Sequence, residues 1–340
     1  MNKVFIIGNG FDLAHNLKTR YSDFLLWYVN KIVKELNKQG LTAYESDLIS
    51  IDGKLYNVNE FNSLRELNGN KSKFDVSVRG KHVFMQELLS QSAQSNWVDI
   101  EVRYYQSILE IYRSYEVHRY IDEKSVEELN KCFDRIKEQL SEYLLTVPTI
   151  DACDPSILHS FKTEMSNAAP EEVKVLVFNY TETVKCYTDT LRISKDNVIY
   201  IHGKLIDPDN PIIFGYGDEM DENYSKLENL NNNEILKNMK SFSYSKAINY
   251  QSLSRFLKSS PFYDVVIIGH SCGISDRVLL NSIFCRPNCN SIKIYYHKRS
   301  EKDNDYFEKT QEISRHFPSK DKTRMRDLIV PFPQSYPLSD

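Results

Sequence analysis

The chain has 340 residues, room for one large domain or two ordinary ones, and 41% of them are hydrophobic, which suffices for a sizeable core. Its 43 basic and 47 acidic side chains nearly balance, so the composition supports neither a nucleic-acid partner nor a membrane partner. The N-terminal apolar run is too short for a signal peptide and no apolar stretch is long enough to span a bilayer, so we expect a cytoplasmic protein. The six cysteines are scattered, as in proteins of reducing compartments, and predict neither a disulfide framework nor a metal site.

The first predicted element is a buried strand, Val4 to Ile7, that leads directly into a turn containing Gly8 and Gly10. Glycine allows backbone angles that side chains forbid, so amide N–H groups of this turn are expected to converge on an anion. A helix that follows the turn adds the attraction of its N-terminal dipole for a phosphate. We therefore predict a nucleotide-phosphate site formed by Gly8, Asn9, Gly10, Phe11 and Asp12.

Helical periodicity then extends over the first half of the chain. Ser22 is expected to cap a helix, and Ser125 with Glu128 is expected to form the capping box of a later one. Apolar residues recur at helical spacing at Phe24, Tyr28, Ile32 and Leu36, then at Trp97, Ile100, Tyr104, Ile108 and Ile111, and then at Val126, Leu129, Phe133, Ile136, Leu140 and Leu144. The polar stretch 37–81 sustains no strand period and is predicted to be irregular.

Beyond Pro170, short β-branched apolar runs return at 173–178, 197–201, 211–214, 264–269 and 291–296. Continuous apolar runs of this length are typical of parallel strands covered on both faces. We therefore predict an α/β protein with a doubly wound, mostly parallel Rossmann-like sheet formed by 1–36 and 170–318. A mainly helical insertion would occupy 37–169, and a C-terminal tail 319–340.

Polar residues follow each predicted strand of the second half. They are Asn179, Tyr180 and Thr181 after the first run, His202 and Gly203 after the second, Gly215, Tyr216, Gly217 and Asp218 after the third, and Gly269, His270, Ser271 and Asp276 at the end of the fourth. Because ligands of open parallel sheets bind at the carboxyl ends of the strands, these residues are expected to face the glycine turn.

The motifs can be compared with those of two enzyme classes. A dinucleotide-dependent dehydrogenase needs a third glycine and a later ribose-binding carboxylate, but position 13 is Leu13 and no second strand follows closely. A serine hydrolase is favoured by Gly269-His270-Ser271-Cys272-Gly273, which fits the G-x-S-x-G turn, with Asp276, Asp303 or Asp305 and His316 following in the required order. Only about seventy residues follow Ser271, few for that fold.

Taken together, the chain resembles the AbiH abortive-infection family of bacterial phage-defence proteins. The stretches that carry the resemblance are IIGNGFDLAHNLKTRYSDFL (6–25), NWVDIE (96–101), FNYT (178–181), IHGKL (201–205), IIFGYGD (212–218) and IIGHSCGISD (267–276). The order of motifs is also similar to sirtuin-like NAD-hydrolase domains of other phage-defence systems. Asn16 replaces a more usual glycine, and Thr181 stands where the sirtuin-like pattern usually has Asp; zinc-binding cysteine pairs are absent.

The resemblance implies an antiphage effector that hydrolyses NAD to nicotinamide and ADP-ribose or a cyclic form. Asn179 would fix the ribose or the water, and His202 would act as the base, since histidine changes charge near neutral pH. The nucleotide-binding set would be Gly8, Asn9, Gly10, Phe11, Asp12, Gly203, Gly269, Ser271 and Asp276, with Glu101, Tyr180 and Asp218 as accessory residues. No cofactor beyond NAD as substrate is expected.

Two further expectations concern partners and alternatives. NAD or a related nucleotide is the expected ligand, with a phage-derived trigger and a homo-oligomer as further partners. The alternatives are a nucleotide-binding sensor or toxin module without turnover, in which the helical insertion passes the signal on, and a serine hydrolase that uses Ser271.

Overall fold

A computed structural model describes residues 1–54, 60–64, 66, 75–91, 97–166 and 168–339. The strands are β1 (Asn2–Ile7), β2 (Ala43–Glu45), β3 (Ile49–Lys54), β4 (Asp75–Gly80), β5 (Val173–Val177), β6 (Val198–Tyr200), β7 (Tyr263–Ile268), β8 (Cys289–Tyr296), β9 (Lys298–Ser300), β10 (Asp303–Asn304) and β11 (Tyr336–Pro337). The α-helices are α1 (Asn9–Ala14), α2 (Tyr21–Gln39), α3 (Val83–Gln91), α4 (Trp97–His118), α5 (Glu123–Leu144), α6 (Pro155–Glu164), α7 (Lys185–Thr190), α8 (Tyr224–Glu228), α9 (Asn233–Leu236), α10 (Lys240–Ser243), α11 (Asn249–Ser259), α12 (Arg277–Phe284), α13 (Tyr306–Arg315) and α14 (Lys322–Leu328).

The chain divides into two compact units. The first unit comprises residues 1–18, 147–224 and 239–340, and the second comprises 19–146 and 225–238. All the strands of the large sheet and most of the predicted site residues belong to the first unit.

The first unit is built on a six-stranded parallel sheet in the order β11-β8-β7-β1-β5-β6. Phe5 of β1 lies between Val175 of β5 and Val266 of β7, so β1 is a central strand. From β1 the chain builds β5 and β6 on one side, and then β7, β8 and β11 on the other. The prediction of an α/β protein with a parallel sheet is confirmed.

The sheet is covered on both faces because its central strands are apolar throughout. Val4 and Ile6 belong to one core cluster, whereas Phe5 and Ile7 belong to another on the opposite face, as the two-residue period of a strand requires. Helices α11 to α14 contribute to the first cluster, and α1, α6 and α7 contribute to the second. The continuous apolar runs predicted these strands because each residue of β1 from Val4 onward is buried.

Four of the five strands predicted beyond Pro170 are confirmed, but a strand at 211–214 is wrong. Those residues have no strand structure, and the sheet ends at β6 on that side. The segment instead folds back, with the Ile213 amide donating to His202 O at 2.7 Å and the Lys204 amide donating to Asn210 O at 2.8 Å. Ile213 and Phe214 are buried in this loop, as they would be in a strand, so the apolar run alone did not distinguish a loop from a strand.

The second unit contains the predicted long helices α2, α4 and α5. Both predicted caps are wrong by two or three residues: α2 begins after Arg20, whose amide donates to Asp23, and α5 is capped by Asp122, whose carboxylate accepts from the Ser125 amide.

The expectation of an irregular stretch at 37–81 is also wrong in its described parts, because β2, β3 and β4 form an antiparallel sheet. The sequence feature that indicates a strand here is the alternation around Ile49 and Ile51, which are both buried.

The tail after residue 318 is part of the first unit. It forms α14 and ends in β11, which pairs with β8 through Tyr336 and Tyr295. Across the described ranges, no helix combines the length and the apolar composition needed to cross a bilayer.

Candidate functional site

The glycine turn after β1 is hydrogen-bonded to the end of β7. Gly8 N donates to Ile268 O at 3.1 Å, Gly10 N donates to Gly269 O at 2.8 Å, and Phe11 N donates to Gly8 O at 2.8 Å. The expectation that these three amides converge on an anion is therefore corrected, because each already has a carbonyl partner. Asn9 begins the short helix α1 beside them.

Close packing of two loops explains why glycine occurs at these positions. A Cβ atom at Gly8 would lie 2.5 Å from His270 Cα, and one at Gly10 would lie 2.7 Å from Gly269 O. Gly269 itself has a φ of +70°, and a Cβ there would lie 2.1 Å from Phe11 N. The glycine turn after β1 and the glycine loop after β7 therefore pack directly against each other.

The buried carboxylate of Asp12 forms the centre of a first group of polar side chains, which we call the Asp12 cluster: Asp12, Asn179, Thr181 and Thr183. Thr181 Oγ1 donates to Asp12 Oδ2 at 2.6 Å, and Thr183 Oγ1 donates to Thr181 Oγ1 at 3.2 Å. Burial raises the pKa of Asp12 above its ordinary value, although the two threonines and Asn179 act in the opposite direction. The Asn179 amide thus lies near the carboxylate, yet its Nδ2 is not aligned for a hydrogen bond with any described residue.

A second group, the Asp276 cluster, comprises His202, Lys240, His270 and Asp276, all at most 6% exposed. Lys240 Nζ donates to Asp276 Oδ1 at 2.7 Å, and His202 Nε2 lies 3.1 Å from the same oxygen without good hydrogen-bond alignment. His270 Nε2 lies 3.6 Å from Asp276 Oδ2. Burial alone would raise the pKa of Asp276, but Lys240 and His202 outweigh it and hold that pKa well below the usual range.

His270 is a neutral member of this cluster. Its Nδ1 accepts a hydrogen bond from the Cys272 amide at 2.9 Å, so the ring proton lies on Nε2, toward Asp276. Complete burial lowers the pKa of His270 to about 3. Lys309 Nζ donates to the His270 carbonyl oxygen at 2.8 Å and fixes the backbone there.

The segment that follows β5 connects the two clusters. Asn179 is flanked by Phe178, whose ring centroid lies 4.9 Å from that of His202 and 4.1 Å from that of His270, and by Tyr180, 6.4 Å from His202. The structure therefore brings together Asn179 and His202, the two predicted catalytic residues, at the ends of neighbouring strands.

Gly203 and Tyr180 hold the loop that replaces the predicted strand at 211–214. Gly203 has a φ of +84°, and a Cβ there would lie 2.1 Å from Pro211 O, which requires glycine. Tyr180 Oη donates to Ile213 O at 2.9 Å. Both residues therefore shape the backbone on either side of His202.

Asp218 is paired within the protein. Its Oδ2 accepts from Arg277 Nη1 at 2.9 Å and its Oδ1 accepts from the Met220 amide at 3.0 Å. Burial raises the pKa of Asp218, and Arg277 acts against that shift. Gly217, next to it, packs so closely that a Cβ would lie 2.8 Å from Ser275 O.

The remaining predicted residues lie apart from these clusters or in the other unit. Ser271 is exposed, and the residues of its loop with positive φ are Gly269 and Cys272. His316 Nε2 donates to Cys272 O at 2.8 Å, so the arrangement gives the serine-hydrolase alternative no support. Glu101 is buried in α4 of the second unit.

Lys240 and Thr183 belong to the clusters but were not predicted. Lys240 is the first residue of the four-residue helix α10 and is one of three lysines in the stretch 237–246. No spacing or motif in the sequence distinguishes it from the other lysines; its burial alone reveals it. Asn16, the replacement noted in the family motif, has a φ of 59°, in agreement with the tolerance of asparagine for that conformation.

Fold and site together define an α/β protein whose parallel sheet carries two clusters of polar and ionisable side chains, most of them buried, at the carboxyl ends of its strands. A family model described as bacteriophage abortive infection AbiH matches residues 4–298. The chain therefore belongs to the AbiH family, which is associated with abortive infection by phage. No curated protein matches the chain. The similarity to sirtuin-like NAD hydrolases stays a prediction.

Proposed function

We propose that this AbiH protein is an antiphage effector that cleaves the glycosidic bond between nicotinamide and ribose in NAD. The observation that carries the proposal is a pair of buried atoms, Asp12 Oδ1 and Asn179 Nδ2, that have no aligned hydrogen-bond partner among the described residues, with Asn179 following β5 and His202 following the neighbouring strand β6. Buried polar atoms are nearly always paired in folded proteins, so unpaired ones at neighbouring strand ends favour a ligand that pairs with them. One donor and one acceptor are present, as a ribose hydroxyl group requires.

The strand order supports the same location. The order reverses at β1, as in doubly wound Rossmann-like sheets, and we propose that the sheet is of that kind. Ligands of such sheets bind outside the carboxyl ends of the strands. The glycine turn and the His270 loop fill the space directly between β1 and β7, which leaves the ends of β1, β5 and β6 as the proposed site.

The proposed reaction breaks the C–N bond, and its electron pair leaves with nicotinamide. Positive charge then develops on the ribose ring, and a water oxygen bonds to the same carbon. The Asn179 amide donates to a ribose hydroxyl or the water, and the His202 imidazole accepts the proton that the water loses. Asp276 Oδ1, 3.1 Å from His202 Nε2, stabilises the imidazolium that results.

Regulation and partners form part of the same proposal. An NAD-consuming enzyme must be silent in uninfected cells, so a phage-derived trigger would activate it, and a homo-oligomer would be a means of doing so. Loss of NAD would then arrest the infected cell. ADP-ribose or its cyclic form would be the second product.

Nicotinamide release is the test. Purified wild-type protein and the Asn179→Ala, His202→Ala and double variants are incubated with NAD, with and without lysate of phage-infected cells, and nicotinamide is quantified by chromatography. Asn229→Ala and His159→Ala, two exposed positions, are the matched controls. We expect the double variant to lose about a hundredfold or more of the activity and the controls to retain it.

Two results would contradict this function. One is nicotinamide release that is undiminished in the double variant. The other is NAD that stays bound and intact during long incubation under conditions in which phage challenge arrests the cells, which supports the sensor alternative instead.

A further inference from the structure

We infer that Asp12 and Asn179 form a binding subsite for a sugar hydroxyl group, so that the turn after β1 holds the ribose next to nicotinamide and not the pyrophosphate. This inference rests on the proposed function for the identity of the ligand. It assigns Asp12 a direct contact with the sugar that reacts, in place of the phosphate contact expected from the glycine pattern.

The charge of the turn argues against a phosphate. Asp12 is 1% exposed, and no lysine or arginine in the described part of the chain lies within ion-pair distance of it. His15 acts on the Asp12 carboxylate through its charge, but its Nδ1 donates to Phe11 O at 2.7 Å and its Nε2 lies 2.5 Å from Tyr187 Oη. A phosphate would therefore bring a second negative charge against a buried carboxylate with no cation between them.

Three backbone amides of the turn are not available to bind the oxygens of a phosphate. Amide groups of a glycine turn bind phosphate when they point free into the site. Here the amides of Gly8, Gly10 and Phe11 donate to protein carbonyls at 2.8 to 3.1 Å. The turn thus offers a carboxylate where a phosphate site offers N–H groups.

A hydroxyl group fits the same atoms. The two threonines decide which oxygen of Asp12 can accept a further hydrogen bond. Thr183 donates to Thr181 and Thr181 donates to Asp12 Oδ2, so Asp12 Oδ1 is the acceptor without an aligned donor. Asn179 Nδ2 lies near the same carboxylate but is not aligned with it, and it is the donor of the pair. A sugar hydroxyl group can donate to Asp12 Oδ1 and accept from Asn179 Nδ2, whereas a fully ionised phosphate has no proton to donate. Vicinal hydroxyls of a ribose satisfy both atoms.

The test compares three probes by calorimetry: ADP-ribose, its analogue with 2-deoxyribose in place of the terminal ribose, and inorganic pyrophosphate. In Asp12→Asn the Thr181 hydroxyl selects the amide oxygen, so the amide NH₂ takes the place of the open acceptor. We expect this variant to bind ADP-ribose about tenfold to a hundredfold more weakly than wild type. Its affinity for pyrophosphate should be equal or higher.

Removing the sugar hydroxyl and the Asp12 carboxylate, singly and together, tests whether the two groups contact each other. If Asp12 contacts the hydroxyl, the deoxy analogue binds wild-type protein weakly and loses little further affinity in Asp12→Asn. Thr181→Val, which removes the donor to Oδ2, should weaken ADP-ribose binding, and Thr181→Ser should restore it. These two variants keep the test decisive if Asp12→Asn does not fold.

The inference and the proposed function fail separately. Additive losses from the deoxy analogue and Asp12→Asn, tighter ADP-ribose binding by Asp12→Asn, or no ADP-ribose binding by wild type would overturn the subsite. If the coupling is found and no nicotinamide is released under any condition, the enzyme proposal fails and the hydroxyl subsite stands.

Discussion

Lys240 Nζ lies 2.7 Å from Asp276 Oδ1, and His202 Nε2 lies 3.1 Å from the same oxygen. The Lys240 side chain is 0% exposed and that of Asp276 is 6% exposed. Two charges this deeply buried stabilise each other only as a pair, and removing one leaves the other without compensation. The pair therefore maintains the charge of the carboxylate that faces His202.

Replacing Lys240 with methionine is expected to destabilise the protein. An uncompensated buried carboxylate costs about 3–5 kcal/mol, so the free energy of unfolding in urea should fall by that amount. Lys204→Met is the control, because Lys204 pairs with Glu182 at 3.3 Å near the surface and should leave the urea midpoint close to wild type. A Lys240→Met, Asp276→Leu double variant should recover part of the loss; equal midpoints for Lys240→Met and wild type would refute the role of the pair.

The buried imidazole of His316 predicts a loss of stability in mild acid. Burial lowers the pKa of His316 to about 4, whereas an unfolded histidine titrates near 6.5. Between those values the unfolded chain binds a proton that the folded protein excludes, so this group destabilises the fold as the pH falls, by at most about 1.4 kcal/mol per pH unit. Urea unfolding from pH 7 to 4.5 should show a shallower pH slope for His316→Gln and an unchanged slope for His159→Gln, at an exposed position. Identical slopes in both variants would contradict this account.

Two glycines with nearly the same φ separate backbone strain from close packing. Gly40 has a φ of +64° with nothing within 4 Å of an added Cβ, whereas at Gly269, φ +70°, the added Cβ would lie 2.1 Å from Phe11 N. Gly40→Ala should cost about 1 kcal/mol for the left-handed backbone alone. Gly269→Ala should cost about 3 kcal/mol beyond that, because backbone atoms must move. Thermal or urea unfolding measures both, and similar costs would show that the β1 and β7 loops are not in close contact.

A pair of cysteines is placed for disulfide formation. Cys153 Sγ and Cys186 Sγ lie 2.7 Å apart, and both residues are partly exposed. Diamide, which accepts the two thiol hydrogens, should therefore link them, and peptide mapping under non-reducing conditions should recover that cross-link. Cys132, which is buried, should remain reduced. Recovery of Cys153 and Cys186 as free thiols after oxidation would count against their proximity, and Cys186→Ser is the control for the assignment.

Much of the first unit could be predicted because strand patterns are local. β5 and β7 are buried along their whole length and β1 is buried from Val4 onward, so most of their residues are apolar and no partner strand need be known. The run at 211–214 has the same composition but packs as a loop against Gly203, since β6 is the last strand on that side. A short apolar run predicts burial, and a strand only if a neighbour is there to pair with it.

The parallel α/β architecture, the AbiH family and the positions of Asn179 and His202 at strand ends could all be predicted from the sequence, because they depend on short motifs and residue periods. The contacts of those residues depend on the three-dimensional fold. The amides of Gly8 and Gly10, predicted to face a ligand, donate to the last carbonyl of β7 and to the Gly269 carbonyl that follows it. Thr181 contacts Asp12 across 169 residues of chain, and Lys240 contacts Asp276 across 36. The physical reason is that hydrogen-bond and ion-pair partners are selected by distance in space, which the order of strands in the sheet sets and no local spacing encodes.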